Sequence, residues 1–199
     1  MDTQDIRTLK ILEEIENGQA PSQRDLAGKL DVSLGLVNSF IKRLTQKGYF
    51  KVTTIPRNRV KYILTPKGAA EKARLTYEFI QYSFTFYKRV RENTGKFFKE
   101  LEARGVKTAA FCGAGELAEI AYVSLQETSI SLVCIIDDQC SKSRVLGVPV
   151  RPLGQAESLG CEHYLITAPE SASKIRGFLE DAGIAADKIS LVNSSGRIV

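Results

Sequence analysis

The chain has 199 residues, of which 43% are hydrophobic and 26% charged, and its formal net charge is +5. This composition is ordinary for a soluble globular protein and leaves room for two small domains. No apolar run approaches the roughly 18 residues of a membrane span, and no signal-peptide pattern opens the chain, so we expect a cytoplasmic protein.

The positive charge is concentrated in the first third of the chain. Residues 22–67 contain 10 Lys and Arg against 2 Asp and Glu, whereas residues 105–199 contain 8 against 11. Charge alone would also suit a solvated surface without a partner. Its concentration on one predicted unit, described next, favours a polyanionic partner for that unit.

Two helices joined by a tight turn are predicted over residues 22–48. Residues 5–17 precede them with apolar side chains at helical spacing, which predicts a first helix. Ser22 can cap the second helix, with an acidic residue three positions on as in a capping box. Ser33 is a good N-cap for the third helix. Three such helices form a small core around a helix-turn-helix.

A β-hairpin with a basic tip is predicted directly after these helices. Residues 50–55 and 59–64 are β-rich runs joined by Pro56-Arg57-Asn58. Thr65 and Pro66 then provide a cap and a first helical position for another helix. Helix, helix-turn-helix and hairpin together predict a winged helix over residues 1–67; the alternative is an ordinary helical hairpin in a core.

This stretch resembles MarR-type winged-helix regulators, and within them the branch associated with exopolysaccharide gene clusters. The resemblance rests on SQRDLAGKLDVSLGLVN, KGYFKV and YILTPKGAAEKARLT. It implies a DNA-binding domain, double-stranded DNA as partner, and a dimer that reads two half-sites. The helix after Ser33 would enter the major groove, the hairpin would contact the backbone or minor groove, and Lys29 and Lys51 would help neutralise phosphates. The residues expected to contact DNA are Arg24, Ser33, Gly35, Asn38, Ser39, Lys42, Lys47, Arg57 and Arg59.

A long aromatic helix is predicted from Pro66 to about Asn93. Aromatic side chains spread around it indicate contacts on more than one side. One side can pack on its own domain and the other can meet a partner subunit, which favours a homodimer; packing within one chain is the alternative. Asn93-Thr94-Gly95 interrupts the pattern before another helix. We therefore predict a linker and dimerisation helix over 68–94 and a second domain over 95–199.

A glycine motif opens the second domain. An apolar strand over 106–112 leads directly into G-x-G-x-x-A and then a helix. Gly113 would permit a tight turn, Gly115 would let a phosphate approach the backbone, and Ala118 would let the helix pack closely on the strand. The free N–H groups of the helix N-terminus would face the anion. The motif therefore predicts a nucleotide site.

Later strands and helices complete a parallel sheet with flanking helices. A strand over 131–136 ends at Asp137, which is placed to accept hydrogen bonds from ribose hydroxyls. Further strands are predicted over 147–150, 164–167 and 188–192. The residues expected to bind a nucleotide are Gly113, Ala114, Gly115, Glu116, Leu117, Asp137, Asp138, Ala168 and Pro169.

Residues 97–192 resemble two groups of Rossmann-type domains. One opens polysaccharide-biosynthesis nucleotide-sugar epimerases and dehydratases, and the matching residues are CGAGELA, IIDD and GVPVRPL. The other is the NAD-binding half of the Rex repressors, which share the order of winged helix and Rossmann domain. The resemblance implies NAD or a nucleotide-sugar as ligand, without deciding between them. Two residues depart from the usual glycine motif. Ala118 stands where the third glycine is usual, and Glu116 puts a negative charge beside the expected phosphates.

The fold class predicted is α/β overall, with an N-terminal winged helix (α+β) and a C-terminal Rossmann-like parallel sheet with flanking helices. We predict a sequence-specific DNA-binding transcriptional regulator and not an enzyme, because no catalytic set is recognisable. The alternatives are a nucleotide-sugar or NAD-dependent enzyme with an accessory winged helix, an adaptor without DNA binding, and a regulator whose second domain is only a scaffold or dimer interface. His163 is expected to be structural, and a redox role for Cys140 and Cys161, which lie in polar stretches, is left open.

Overall fold

The computed structural model describes residues 1–17, 22–55 and 59–199. They form two compact units, Met1–Ser83 and Phe84–Val199. The predicted fold class is confirmed, since the first unit is a winged helix and the second a mainly parallel sheet with flanking helices.

The first unit begins with three helices followed by an antiparallel hairpin. Ser22 and Asp25 form the predicted capping box, and the Ser33 side chain accepts a hydrogen bond from the backbone N–H of Leu36. Asp31 ends the second helix in a left-handed conformation, with φ of 50°. The elements are α1 (Thr3–Glu16), α2 (Gln23–Leu30), α3 (Leu34–Gln46), β1 (Phe50–Ile55) and β2 (Arg59–Leu64).

One apolar core holds these elements together. The hairpin contributes Phe50 and Tyr62, whose rings meet edge to face with centroids 5.5 Å apart. Leu75 from the next helix is fully buried in the same core. Tyr49, between α3 and β1, also belongs to this core, and the first three helices supply Leu9, Ile11, Leu12, Ile15, Leu26, Val37, Phe40, Ile41 and Leu44.

The next helix, α4 (Pro66–Ala103), corrects the predicted interruption at Asn93-Thr94-Gly95. The Thr94 hydroxyl does not cap a new helix. It lies buried, donates to the carbonyl of Val90 at 2.8 Å and contacts the Ser124 hydroxyl at 2.6 Å. A glycine within a helix costs only about 1 kcal/mol, so burial of the neighbouring side chains outweighs the local signal. The boundary between the compact units falls within α4, at Ser83 and Phe84.

The second unit is a six-stranded sheet in the order β5-β6-β4-β3-β7-β8. All neighbours pair in parallel except β5 and β6, which form a short antiparallel pair that was not predicted. The elements are β3 (Thr108–Cys112), α5 (Glu116–Leu125), β4 (Ser131–Ile136), β5 (Arg144–Val145), β6 (Val148–Arg151), β7 (His163–Ile166), α6 (Ala172–Asp181) and β8 (Ile189–Leu191).

Alternate residues of each strand enter two separate apolar layers. Phe111 and Leu165 join the layer that contains α4 and α5 residues, whereas Cys112 and Ile166 join the layer that contains Leu179 of α6. This division follows the two-residue period of a strand. The sheet is therefore covered by apolar side chains on both faces, as parallel sheets require.

The last residues of the chain lie along the edge strand β8. Leu191 and Val199 exchange backbone hydrogen bonds of 2.8 and 3.0 Å. The Asn93 side chain donates to the carbonyl of Gly196 at 2.7 Å. The tail thus covers a sheet edge that would otherwise expose unpaired backbone groups.

His163 is buried in β7, as a structural histidine would be. Its Nε2 lies 3.1 Å from the Ser190 hydroxyl, and its ring packs edge to face on Phe97. Burial, aided by the positive charge of Arg104, lowers the pKa of His163 to about 4. The imidazole is therefore neutral in the folded protein at pH 7.

We expect acid to destabilise the second unit through His163. Because the folded pKa lies below the usual 6.5, the unfolded chain gains a proton first as the pH falls from about 6.5 to about 4. The free energy of unfolding should decrease over that range by up to about 3 kcal/mol. Urea titrations of wild type and His163→Gln at pH 7 and 4.5 measure this, and the loss should be smaller in the variant. An equal loss in both proteins would contradict it.

Candidate nucleic-acid interface and nucleotide site

One face of α3 is polar and exposed. Gly35, Asn38, Ser39 and Lys42 lie on it, whereas the opposite face is buried in the core of the first unit. A helix of 13 residues is about 20 Å long, which suits the major groove. Ser33 is also exposed, although its hydroxyl oxygen already accepts the Leu36 N–H at 3.3 Å. The predicted recognition residues therefore share one accessible surface.

Of the basic side chains that flank this helix, one is already paired with a carboxylate and two are not. Arg24 on α2 and Lys47 at the end of α3 are exposed, and Lys47 Nζ lies 5.7 Å from the centre of the Tyr49 ring. Lys29 pairs with Glu14 at 2.5 Å. A phosphate contact by Lys29 would have to replace that ion pair, whereas Arg24 and Lys47 are not committed to a carboxylate in the described chain.

The hairpin presents two lysines on one exposed face. In its register Lys51 lies opposite Ile63, and Thr53 lies opposite Lys61, so all four side chains point the same way. Lys61 is not among the residues predicted from the sequence to contact DNA, although period-two alternation together with the register places it on the same face as Lys51. Arg57 lies outside the described residues. Arg59 opens β2, and only its backbone is described.

The second candidate site lies where the order of the strands in the sheet reverses. The parallel strands lie in the order β6-β4-β3-β7-β8, so the chain moves outward from β3 in one direction and then returns to add β7 and β8 on the other side of β3. In open sheets of this type ligands bind beyond the carboxyl ends of the strands at the switch point. That point lies between β3 and β7, where Gly113 and Ala168 follow their strands.

Position 113 requires glycine because of its backbone conformation and its close contact with Ala168. Its φ is +119°, and a Cβ placed there would lie 2.7 Å from the Cβ of Ala168. The Thr167 hydroxyl donates to the Gly113 carbonyl at 2.8 Å. The ends of β3 and β7 are thus in direct contact. Gly115 differs, because a Cβ added to it would meet no described atom within 4 Å.

The carboxylate of Asp137 is held over the glycine loop. One oxygen accepts the Ala114 N–H at 2.8 Å, and the other accepts the N–H groups of Gln139 and Cys140 at 2.7 and 3.0 Å. Asp138 accepts the backbone N–H of residue 153 at 2.8 Å. Asp137 therefore lies directly after β4, as predicted. Three of the roughly four hydrogen-bond acceptor positions of its carboxylate are already used by backbone N–H groups of the chain.

A cavity of about 120 Å³ adjoins these carboxylates. Pockets that enclose small ligands have about 300–1,000 Å³, so the cavity would cover only part of a nucleotide. A shallower groove of about 370 Å³ continues from it past Cys140 and Arg151. The cavity is lined by Gly113, Ile136, Asp137, Asp138, Gln139, Leu153, Ala168, Ser171, Lys174 and Ile175.

The remaining predicted residues surround the start of α5 and α6. Glu116 is exposed in the first turn of α5, with Glu119 one turn on. Leu117 packs partly against the sheet, and Ala118 is fully buried. Pro169 begins the short turn that leads into α6. Two carboxylates beside the α5 N-terminus weaken its attraction for a pyrophosphate.

Three of the four cysteines lie together in one apolar layer. Cys161 was expected in a polar setting, but it is buried with Cys112 and Cys134, because the segment before β7, which also contributes Leu153 and Ala156, joins the same apolar layer. Burial raises the pKa of the Cys112 thiol to about 12. A hydrogen bond between the Cys134 and Cys161 thiols lowers the pKa of Cys161 and raises that of Cys134. Cys140 is only partly buried.

Two further features bear on the class of protein. Within residues 1–17, 22–55 and 59–199, no three His, Cys, Asp or Glu side chains come together as a metal site would require. No helix of the described chain is both long and apolar enough to cross a bilayer.

The chain carries a winged helix-turn-helix DNA-binding domain followed by an α/β unit. Residues 4–51 match the family model for winged helix-turn-helix DNA-binding. No curated protein matches the chain significantly.

Three solved structures match the chain at low similarity. RSP, a Rex-family repressor, is 16% identical over 96% of this chain and 87% of its own, with a TM-score of 0.37. RSP in complex with beta-NADH is 16% identical over 96% and 86%, with a TM-score of 0.36. PigF with SAH is 12% identical over 96% and 57%, with a TM-score of 0.24.

Proposed function

We propose that this protein is a dimeric, sequence-specific transcriptional regulator whose second unit binds a nucleotide, dinucleotide or nucleotide-sugar. The proposed DNA binding rests mainly on one observation, the exposed polar face of α3 beside a basic hairpin. We assign residues 1–67 to DNA binding, 68–94 to connection and dimerisation, and 95–199 to the ligand. Since its target is DNA, the protein would act in the cytoplasm.

Asn38, Ser39 and Lys42 would read bases in the major groove, because they lie on the exposed face of α3. An Asn amide can pair with both edge atoms of an adenine, and a Lys can donate to guanine. Ser33 and Gly35 lie at the start of the helix, close to where its N-terminal end would enter the groove. Base contacts of this kind specify the sequence.

Phosphate contacts would come from side chains around that helix. Lys51 and Lys61 on one hairpin face support contact with the DNA backbone. Arg24 and Lys47 are proposed from sequence position and exposure, and Arg57 and Arg59 are proposed from sequence position alone. Such contacts position the protein without reading sequence.

Asn38→Ala should weaken binding to the selected operator by about 1–3 kcal/mol and leave binding to random DNA unchanged. Lys61→Ala should weaken both and reduce the salt dependence by about 0.9 in log–log slope. The operator is first selected from a random DNA pool, and fluorescence anisotropy at several salt concentrations then measures affinity. Lys99→Ala, an exposed lysine of the second unit, is the charge-matched control. Equal losses on operator and random DNA in Asn38→Ala would remove the base-reading role.

The ligand assignment is supported by the cavity and by its position at the sheet switch point. Ile136, Leu153 and Ile175 supply apolar surface suited to a base, and Asp138 retains acceptor capacity for a ribose. Asp137 would exchange its bond to Ala114 for a ligand hydroxyl. By resemblance, polysaccharide biosynthesis is the process that we propose is regulated, with the ligand as its signal.

Calorimetric titration with NAD⁺, NADH, CoA, ATP, UDP-sugars and GDP-sugars tests the ligand assignment. We expect one site per subunit for one of them. The second candidate is a unit that serves only as scaffold or dimer interface, which the small cavity and the chain's own use of Asp137 favour. Absence of heat with every compound would support that candidate.

A further inference from the structure

The middle of α4 exposes a line of large apolar side chains. Tyr77, Ile80, Phe84 and Tyr87, here called the α4 seam, are between 40% and 65% exposed. Their spacings are three, four and three residues, which is the a–d pattern of a coiled-coil contact. Side chains at this spacing lie on one side of a helix. The seam is therefore a continuous apolar line.

None of the four seam residues belongs to the apolar core of either unit. Leu75 is buried in the core of the first unit, and Val90 is buried in the second. At 100° per residue, Leu75 lies opposite the centre of the seam, and Val90 lies about 100° from that centre. The seam therefore serves neither core, and water covers it in a single copy.

We propose that the seam packs against the seam of a second copy of this chain, forming a two-helix dimer contact. The inference rests on the proposed function, since it names the dimer surface of that regulator. The spacing is symmetric about position 82, so the seam meets itself under a two-fold axis in either helix direction. A surface that is complementary to itself favours a second copy over an unrelated partner.

The exposed area is adequate for such a contact. The four side chains measure roughly 200 Å² each and are about half exposed, so two copies would remove about 800 Å² from water. Flanking residues of the same helices bring the total near the roughly 1,000 Å² expected of a specific interface. We therefore expect a dimer of moderate strength.

The charges around the seam are arranged as at the rim of an interface. Within residues 75–87 the single charged residue is Glu78, and Arg74 pairs with it at 2.6 Å. At the other end the Lys88 ammonium lies 4.7 Å from the centre of the Phe84 ring. An uncharged centre between charged ends can be desolvated without burying an unpaired charge.

Sedimentation equilibrium of the full-length protein tests the seam. Ile80→Glu and Phe84→Glu should each raise the dimer dissociation constant by at least about 100-fold, because each would bury an unpaired charge in the dimer. Tyr82→Glu is the matched control, since Tyr82 is 46% exposed and lies on the opposite side of the helix; it should leave the constant unchanged. Circular dichroism confirms that the three variants are folded.

Mixing complementary variants tests direct contact. Ile80→Glu with Ile80→Lys should restore the dimer if the helices are parallel, and Ile80→Glu with Phe84→Lys should restore it if they are antiparallel. Restoration in neither mixture would overturn the proposal. So would wild-type protein that stays monomeric at about 100 μM, or that binds anionic lipid vesicles through the seam as a monomer.

Measuring DNA binding separates two negative results, absence of a dimer through the seam and absence of the proposed regulatory function. Phe84→Glu should bind DNA with one half-site as wild type does and should lose the added affinity for paired half-sites. A protein that dimerises through the seam but binds no DNA at low salt would uphold the seam and refute the regulator. A monomer that binds its operator would refute the seam alone.

Discussion

Gly68→Ala is expected to unfold the first unit or destabilise it by about 3 kcal/mol or more. A Cβ at position 68 would lie 1.9 Å from the carbonyl oxygen of Tyr49 and 2.8 Å from the Leu64 side chain. The oxygen belongs to backbone, and it already accepts the N–H of Thr65 at 3.0 Å. The clash therefore cannot be relieved by a side-chain rotation, and the start of α4 would have to leave its place.

Urea unfolding followed by circular dichroism measures this loss, and Gly28→Ala is the matched control. A Cβ at Gly28, within α2, would meet no described atom within 4 Å. Alanine there should stabilise the helix by up to about 1 kcal/mol, because glycine loses more backbone entropy on folding. Similar midpoints for the two variants would contradict the close contact at Gly68.

The elements of the first unit could be predicted because their signals are local. The capping box at Ser22 and Asp25 and the caps at Ser33 and Thr65 each involve residues a few positions apart. The interruption predicted near Thr94 was wrong because its partner, Ser124, is 30 residues away. A local signal was outweighed by packing that the sequence alone does not reveal.

At the candidate nucleotide site, too, the local elements were predicted from the sequence and the contacts between distant segments were not. The strand, turn and helix around Gly113 were predicted, as was the position of Asp137 after the next strand. The contact of Gly113 with Ala168 and the bond from Ala114 to Asp137 join segments far apart in the chain. These tertiary contacts show that the chain itself uses groups that the motif would reserve for a ligand.

The two glycines of the motif should respond differently to substitution. Gly113→Ala should destabilise the second unit by about 2–3 kcal/mol, because it combines a positive φ with a Cβ 2.7 Å from Ala168. Gly115 has a φ of −85°, which any residue can adopt, and open space beside it. Gly115→Val should therefore cost less than about 1 kcal/mol. Thermal unfolding of both variants measures the difference, and equal losses would contradict it.

Gly115→Val should nevertheless abolish binding of whichever compound gives heat with wild type. A valine side chain would fill the space through which a ligand reaches the N–H groups at the start of α5, whereas the folded protein leaves that space open. Loss of the isotherm in a variant that still unfolds within a few degrees of wild type would therefore assign the ligand to the glycine loop. An unchanged isotherm would move the ligand away from the loop and leave Gly113 as a purely structural residue, since its contact with Ala168 already accounts for it.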